Sequence, residues 1–217
     1  MIHEGIAFRA GDDGKSVNTL ALWCTLSGFP RRSFRRPEDV PANWLPYGNV
    51  DWIEGCLGRR LTPDYYPAFL RTCIHRRLWL ADAWPLSRVF VKPADRYKRF
   101  TGFVTTGTWK GRKKGPLWCS EPVVFLNEWR YYVANGRVLA AHWYFGDEEK
   151  TPDAPTLDIS WPEGFCGAVD FGERQDGRIE LIESQHAAAC GWYGGLAEGE
   201  TFARWLDEGW ASLRATS

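Results

Sequence analysis

Two carboxylates lie where apolar residues would pack more easily. Asp170 interrupts the segment CGAVDF, Glu183 interrupts RIELIE, and an Asp-Gly pair at 176–177 separates the two segments. The pattern predicts two strands joined by a turn, and antiparallel pairing would place the two acids side by side. Neighbouring carboxylates repel each other unless a cation lies between them. Gln185 shares the strand face of Glu183, so the set is typical of a magnesium site that substrate phosphates complete.

A lysine and a basic loop further upstream are candidates for binding those phosphates. Lys92 ends the apolar segment RVFVK, where a buried ammonium group needs an anionic partner. A basic loop that contains Lys98, Thr101 and Gly102 follows it. A strand lysine beside a flexible basic loop is a recurring arrangement for holding a triphosphate. The alternative is a strand-end lysine that reaches solvent.

The segment CSEPVVFLNEWRYYV supplies further polar candidates. Its first part, residues 120–124, is a possible link between two lobes. Glu128 and Arg130 are two positions apart, so their side chains lie on one face of a strand. A glutamate there could bind ribose hydroxyls, and an arginine could bind phosphate through two hydrogen bonds. An exposed Glu–Arg pair of little energetic weight is the alternative, as two solvent-facing acids are for Asp170 and Glu183.

A glycine-containing sequence near the N-terminus has the wrong spacing for a phosphate loop. GDDGKS occupies residues 11–16 between a possible strand and a helix. The phosphate-loop motif needs a glycine five positions before the glycine of the GK pair, and Arg9 occupies that position. We therefore interpret GDDGKS as an ordinary loop and helix start.

Composition excludes some classes of protein. The 217 residues carry 27 basic and 27 acidic side chains, so no net field favours nucleic acid or a membrane surface. The six cysteines form no C-x-x-C pair, which predicts reduced thiols and a cytoplasmic location. The N-terminus lacks the apolar region of a secretion signal, and no apolar run approaches the length of a membrane span.

The predicted elements change character along the chain. A short strand at 6–8, a helix over 15–26 and a second helix over 62–80 suggest a first α/β part. The second helix would enter through Pro63 and bury Phe69, Cys73 and Leu80. After a boundary near residues 83–85 come a strand at 88–92 and a possible hairpin in GFVTTGTW. These are followed by a hairpin around Asn135-Gly136, the carboxylate hairpin and a C-terminal helix.

Four segments in this order resemble the ATP-grasp fold, and more narrowly the clade of ATP-grasp proteins named for two arginines and a lysine. They are FVKP, KRFTG, EWRYYVANGRV, and VDF followed by IELIESQ, all within residues 88–191. The resemblance implies an α+β architecture in which two α+β lobes clasp ATP, in an ATP-grasp domain over residues 85–217. A small α/β N-terminal domain would precede it over residues 1–84.

The resemblance also implies a role for each candidate residue around ATP and Mg²⁺. Lys92 would contact the α- and β-phosphates, and the loop with Lys98, Thr101 and Gly102 would cover the phosphate tail. Arg130 would stabilise charge on the transferred phosphate, which makes Arg130 and Lys98 the expected catalytic residues. The expected adenine and ribose contacts are the 120–124 backbone, including Val123, and Glu121 or Glu128. The expected magnesium ligands are Asp170, Glu183 and Gln185.

Members of this superfamily mostly join a carboxylate to an amine, and the resemblance implies the same reaction here. ATP phosphorylates the carboxylate, and the amine attacks the acylphosphate. The substrates would be a small-molecule or peptide carboxylate and an amine. Two positions differ from many such ligases, because Gln185 stands where they carry Asn and Ala168 where several carry Arg.

Two other functions stay open from the sequence. One is an ATP-dependent kinase or phosphotransferase on the same fold, which would need no amine. The other is a single-stranded nucleic-acid-binding module, because RYKRFTGFVTTGTWKGRKKG interleaves basic and aromatic residues. The zero net charge argues against binding a long polyanion.

Overall fold

The computed structural model describes residues 2–107 and 115–215, and within these residues the strands form three sheets. The first sheet is parallel, in the order β2-β1-β3. It contains β1 (Gly5–Arg9), β2 (Arg31–Phe34) and β3 (Trp44–Tyr47), with helices α1 (Lys15–Ser27) and α2 (Val50–Leu57). The predicted strand and helix at this end of the chain are therefore confirmed.

The second sheet is antiparallel and has a small core. Its order is β4-β7-β5-β6, and it contains β4 (Leu78–Ala81), β5 (Val89–Pro93), β6 (Phe103–Thr105) and β7 (Leu117–Ser120). Its buried core residues are Val89, Val91, Leu117 and Cys119. The boundary at residue 84 stays a prediction, although β4 precedes it and pairs with β7. The hairpin in GFVTTGTW and the basic stretch are described up to Gly107, and residues 108–114 lie outside the described ranges.

The third sheet carries the predicted carboxylate hairpin. Its order is β11-β10-β8-β9, all antiparallel, with β8 (Phe125–Ala134), β9 (Arg137–Phe145), β10 (Gly167–Arg174) and β11 (Ile179–His186). Asn135 and Gly136 adopt φ angles of 48° and 70°, the left-handed values that a tight hairpin turn between β8 and β9 requires. Helix α3 (Gly199–Ala215) follows β11, and its Trp205 packs against Tyr132 of β8.

One large core joins the first and third sheets. Ile6 of β1, Leu20 of α1 and Leu45 of β3 belong to the same buried cluster as Tyr132 and Trp205. Helix α1 also contacts α3. The N-terminal α/β part is therefore packed firmly against the third sheet, which matters for the site described below.

The predicted helix over residues 62–80 is wrong. The segment contains no α-helix but an irregular stretch, a 3₁₀ turn at Ala68–Cys73, and strand β4. Pro67 has no N–H group to donate and disfavours helical dihedrals in the residue before it. The backbone bonds elsewhere, since Ser184 N–H donates to Tyr65 O at 2.9 Å. Leu80, expected to be buried, is 57% exposed.

The thiols are unpaired, as predicted. All six cysteines are free, and burial raises the pKa of Cys24 and Cys56 to about 11. A raised thiol pKa lowers the thiolate fraction and hence the reactivity of these residues. Within residues 2–107 and 115–215, no helix has the length and apolar character that crossing a membrane requires.

Candidate active site

The carboxylate hairpin brings Asp170 and Glu183 together. They are direct partners in the register of β10 and β11, and an irregularity beside them leaves Ile182 without a partner in that register. At the other end of the hairpin, Gly177 has a φ of 80°, and Arg178 N–H donates to Asp176 Oδ1 at 3.1 Å. The sequence therefore placed the two acids correctly, while their metal role stays a prediction.

Asp170 is bound by an arginine of the neighbouring strand. Arg130 on β8 is its register partner, and Nε and Nη2 donate to the two carboxylate oxygens at 2.7 Å each. Both side chains are buried. Burial alone would lower the pKa of Arg130, but the charge of Asp170 raises it well above its ordinary value. Burial also raises the pKa of Asp170 against the opposing charge of Arg130.

Glu183 is bound by a lysine from a different sheet. Lys92 on β5 is 5% exposed, and its Nζ donates to Glu183 Oε2. The ammonium group also lies 3.3 Å from the centroid of the Tyr65 ring, a cation–π contact. Burial lowers the pKa of Lys92, whereas the charge of Lys92 outweighs burial at Glu183 and lowers its pKa. Lys92 therefore bridges the second and third sheets and does not reach solvent.

The amide of Gln185 is oriented by its two neighbours. Its Nε2 donates to Glu183 Oε1, and its Oε1 accepts a hydrogen bond from the thiol of Cys190 at 3.4 Å. The amide oxygen thus faces the thiol, and the amide nitrogen faces Glu183. In this arrangement Gln185 orients Glu183. For Gln185 to bind magnesium as predicted, its amide would have to rotate so that the oxygen replaces the nitrogen beside Glu183.

The donor set fits a magnesium ion that also binds phosphates. Asp170 and Glu183 are adjacent carboxylates, and no group of three His, Cys, Asp or Glu side chains suited to a metal occurs among the described residues. Mg²⁺ in nucleotide sites usually takes one or two carboxylates and completes its shell with phosphate oxygens and water. A closed zinc-type cage would need about four protein ligands.

A cavity of about 210 Å³ lies between the second and third sheets. It contains five of the predicted nucleotide-site residues: Lys92, Glu121, Val123, Glu128 and Glu183. Its apolar walls include Phe90, Val104, Phe125 and Ile182. Apolar walls with a charged end suit a ligand that has a flat ring system and an anionic tail.

The two glutamates near this cavity have different surroundings. Glu121 is exposed, and its Oε2 accepts the backbone N–H of Arg77 at 3.2 Å. Glu128 is half-buried, and burial raises its pKa against the opposing hydrogen bond from Tyr144. Both are within the cavity wall, so both stay candidates for the ribose hydroxyls.

The basic loop lies next to Lys92 but not in the cavity wall. Lys98 and Thr101 are exposed, and Lys98 has a left-handed φ of 51°. Gly102 approaches the second sheet so closely that a Cβ atom would lie 2.5 Å from the Phe90 ring and 3.4 Å from Lys92 Cβ. A glycine is therefore needed for the loop to pass over the lysine. The contacts of Lys98 and Thr101 with phosphate stay predictions.

Sequence reasoning missed Arg76, which also lines the cavity. It is 9% exposed and donates to Glu180 Oε1 at 2.8 Å and to the carbonyls of Leu181 and Ile182 at 2.7 and 3.1 Å. The wrongly predicted helix over residues 62–80 hid these contacts, because it included Arg76. The available signal was the change from three basic residues to three apolar residues in HRRLWL, just where β4 begins.

It also missed an aromatic cover on Arg130. The Tyr144 and Tyr193 rings stack 4.7 Å apart at 15°, and the guanidinium carbon lies 5.7 and 5.1 Å from their centroids. Tyr193 follows β11 in an irregular loop, and no local pattern in GWYGG predicts its partner. Exposed aromatic residues beyond the last strand were the available signal.

Comparison with solved structures defines the fold class. D-cycloserine synthetase DcsG matches with a TM-score of 0.57 at 14% identity, covering 95% of this chain and 99% of that one. The RimK domain ATP-grasp protein from Sphaerobacter thermophilus matches at 0.55 and 11%, covering 98% of both chains. The ATP-grasp ligase PsnB, solved with a minimal precursor, matches at 0.54 and 13%, covering 96% and 100%. The chain has the predicted ATP-grasp fold.

The sequence identifies the family of this chain within the ATP-grasp proteins. A family model matches residues 71–202, and it describes the ATP-grasp domain of family 2 in the clade named for two arginines and a lysine. The chain belongs to this family, and the predicted recognition is therefore confirmed. The search of curated proteins found no match.

Proposed function

We propose that this protein is an ATP- and Mg²⁺-dependent ligase that joins a carboxylate to an amine through an acylphosphate. One observation carries the proposal, a cluster of four charged side chains. Lys92 of the second sheet binds Glu183 of the third sheet at the wall of the cavity between these sheets. Asp170, the register partner of Glu183, is bound by Arg130. Two similar structures support it, since DcsG is a synthetase and PsnB is a ligase.

The side chains of the cluster bind and orient the triphosphate. When ATP binds, phosphate oxygens replace Glu183 as the partner of Lys92. An ammonium group that is 5% exposed needs an anionic partner both with and without the nucleotide. Nη1 of Arg130 would serve the transferred phosphate, because Nε and Nη2 are engaged by Asp170. A bound Mg²⁺, held by Asp170 and Glu183, supplies charge neutralisation at the phosphate oxygens.

The reaction then has two balanced steps. An oxygen of the substrate carboxylate attacks the γ-phosphorus, the bond to the bridging oxygen breaks, and ADP leaves. The amine nitrogen attacks the acyl carbon, the carbon–oxygen bond to phosphate breaks, and the nitrogen loses a proton. No covalent bond to the protein forms, so the protein contributes positioning and charge stabilisation.

The test begins with nucleotide binding. In a thermal-shift titration with ATP or a non-hydrolysable analogue, we expect a rise in melting temperature that needs Mg²⁺, because ligands that bind only the folded state stabilise it. Glu183→Gln should abolish the magnesium dependence, and Glu149→Gln, at an exposed glutamate, should retain it. A nucleotide shift in Glu183→Gln that still depends on Mg²⁺ would remove Glu183 from the metal site.

Release of ADP distinguishes the reactions. Candidate acid and amine pairs are screened for ADP release with both, one or neither substrate. Release that needs acid and amine together supports ligation, and release with a single acceptor and no amine identifies a phosphotransferase. The proposal also includes a cytoplasmic location, a small-molecule or peptide carboxylate as one substrate, and Lys98 as a catalytic residue.

A further inference from the structure

The loop at residues 190–193 carries Tyr193 onto the guanidinium group of Arg130. It has no regular secondary structure, yet Tyr193 keeps its ring 5.1 Å from the guanidinium carbon and stacked on Tyr144. Together with Asp170, the two rings leave Nη1 as the Arg130 nitrogen without a partner within the described residues. Asp170 holds the guanidinium through two hydrogen bonds, and the loop places the Tyr193 ring against it.

Three of the side chains that hold the loop come from the N-terminal α/β part. Ser16 Oγ accepts the Trp192 N–H at 2.7 Å, and Lys15 Nζ donates to Tyr193 O at 2.9 Å. The Tyr47 hydroxyl donates to Cys190 O at 3.4 Å. Lys15 and Ser16 are the last two residues of GDDGKS, the sequence that has the wrong spacing for a phosphate loop.

The remaining contacts come from β8. The hydroxyl of the buried Tyr132 donates to Gly191 O at 2.8 Å and accepts the Tyr193 N–H at 2.9 Å. Each of the four loop residues thus has at least one backbone group bound by a side chain. Side-chain hydrogen bonds replace the sheet or helix bonds that would otherwise fix a backbone.

We infer that Lys15 and Ser16 are positioning residues that act on the transferred phosphate through Tyr193 and Arg130. This inference rests on the proposed role of Arg130 at the phosphate. Ser16 should matter more than Lys15, because its bond to Trp192 is partly buried and the bond of Lys15 is exposed. The N-terminal α/β part then belongs to the catalytic machinery without touching the nucleotide.

The test compares ADP with a non-hydrolysable ATP analogue, each with Mg²⁺, by calorimetric titration. The Kd of ADP divided by the Kd of the analogue reports the contacts of the γ-phosphate alone. We expect Ser16→Ala to reduce this ratio about fivefold, the effect of roughly one hydrogen bond, with little change in the Kd of ADP. Ser16→Thr keeps a hydroxyl and should restore the ratio. Lys15→Met should have a smaller effect in the same direction.

A double variant separates positioning from general destabilisation. If Ser16 acts through the ring, Ser16→Ala combined with Tyr193→Ala should lower the ratio no further than Tyr193→Ala alone. Lys150→Met, at an exposed lysine paired with Asp147, is the matched control and should leave the ratio unchanged. A lower melting temperature with a wild-type ratio in Ser16→Ala would overturn the inference. Wild-type protein that binds neither nucleotide would overturn the proposed function itself.

Discussion

Arg76–Glu180 and Arg130–Asp170 are both buried ion pairs whose carboxylates lie in the third sheet, but the two carboxylates accept different numbers of hydrogen bonds. Glu180 is 0% exposed, and its oxygens accept the backbone N–H groups of His75 and Arg76, the Arg76 guanidinium, and Arg174 Nη1. Although burial alone would raise it, the pKa of Glu180 lies below its ordinary value because Arg76 and these hydrogen bonds outweigh burial.

Asp170 accepts fewer hydrogen bonds. Within residues 2–107 and 115–215, the donors to its two oxygens come from Arg130, and Glu183 lies beside it in the register. Burial raises the pKa of Asp170. The fully bonded pair fastens the segment before β4 to β11. Each oxygen of Asp170 and Glu183 accepts one hydrogen bond, and we propose that their remaining lone pairs serve a cation. The difference in the number of hydrogen bonds separates a structural ion pair from the proposed ligand site, which has the same types of residue.

Removing the arginine of the structural pair should strongly destabilise the protein. Arg76→Met leaves Glu180 buried and short of its main counter-charge, which should cost about 3–5 kcal/mol of unfolding free energy. Urea unfolding measures it, and Arg178→Met, at an exposed pair with Asp176, is the control. A loss below about 1 kcal/mol would mean that the other donors to Glu180 suffice.

Removing the lysine of the proposed ligand site should affect ligand binding more than stability. Lys92→Met is expected to weaken ATP binding about 10- to 100-fold, the effect of one charge-assisted contact with phosphate. Stability should change less than in Arg76→Met, because Glu183 keeps its bond from Gln185 and part of its side chain is accessible to water. Calorimetric titration with ATP and Mg²⁺ measures the affinity. Unchanged affinity would contradict the assignment of Lys92.

Protonation of Glu180 should make the free energy of unfolding depend weakly on pH. Because Glu180 has a folded-state pKa below its ordinary 4.5, the unfolded chain binds more protons in this window. The contribution of Glu180 to the free energy of unfolding is therefore present above pH 4.5, and it is lost as the pH falls through the folded-state pKa. The slope is at most about 1.4 kcal/mol per pH unit for one proton. Denaturant unfolding between pH 6 and about 3 should show a shallower acid limb in Glu180→Gln than in wild type.

The sequence alone predicted the carboxylate hairpin and the fold class. The Asp176-Gly177 and Asn135-Gly136 turns are local chemistry, and strand alternation then decides which side chains share a face. This is why the pairing of Asp170 with Glu183 and the shared face of Glu128 with Arg130 followed from short segments. The motif order around them was enough to recognise an ATP-grasp domain.

The tertiary structure decided which residues meet across the sheets. Lys92 reaches Glu183 over 91 positions of sequence, and Ser16 reaches Trp192 over 176. No periodicity encodes such contacts, because they depend on how three sheets pack and not on the dihedrals of neighbouring residues. The segment at residues 62–80 failed for the same reason: its apolar spacing suited a helix, but its prolines and its pairing with β11 and β7 prevailed.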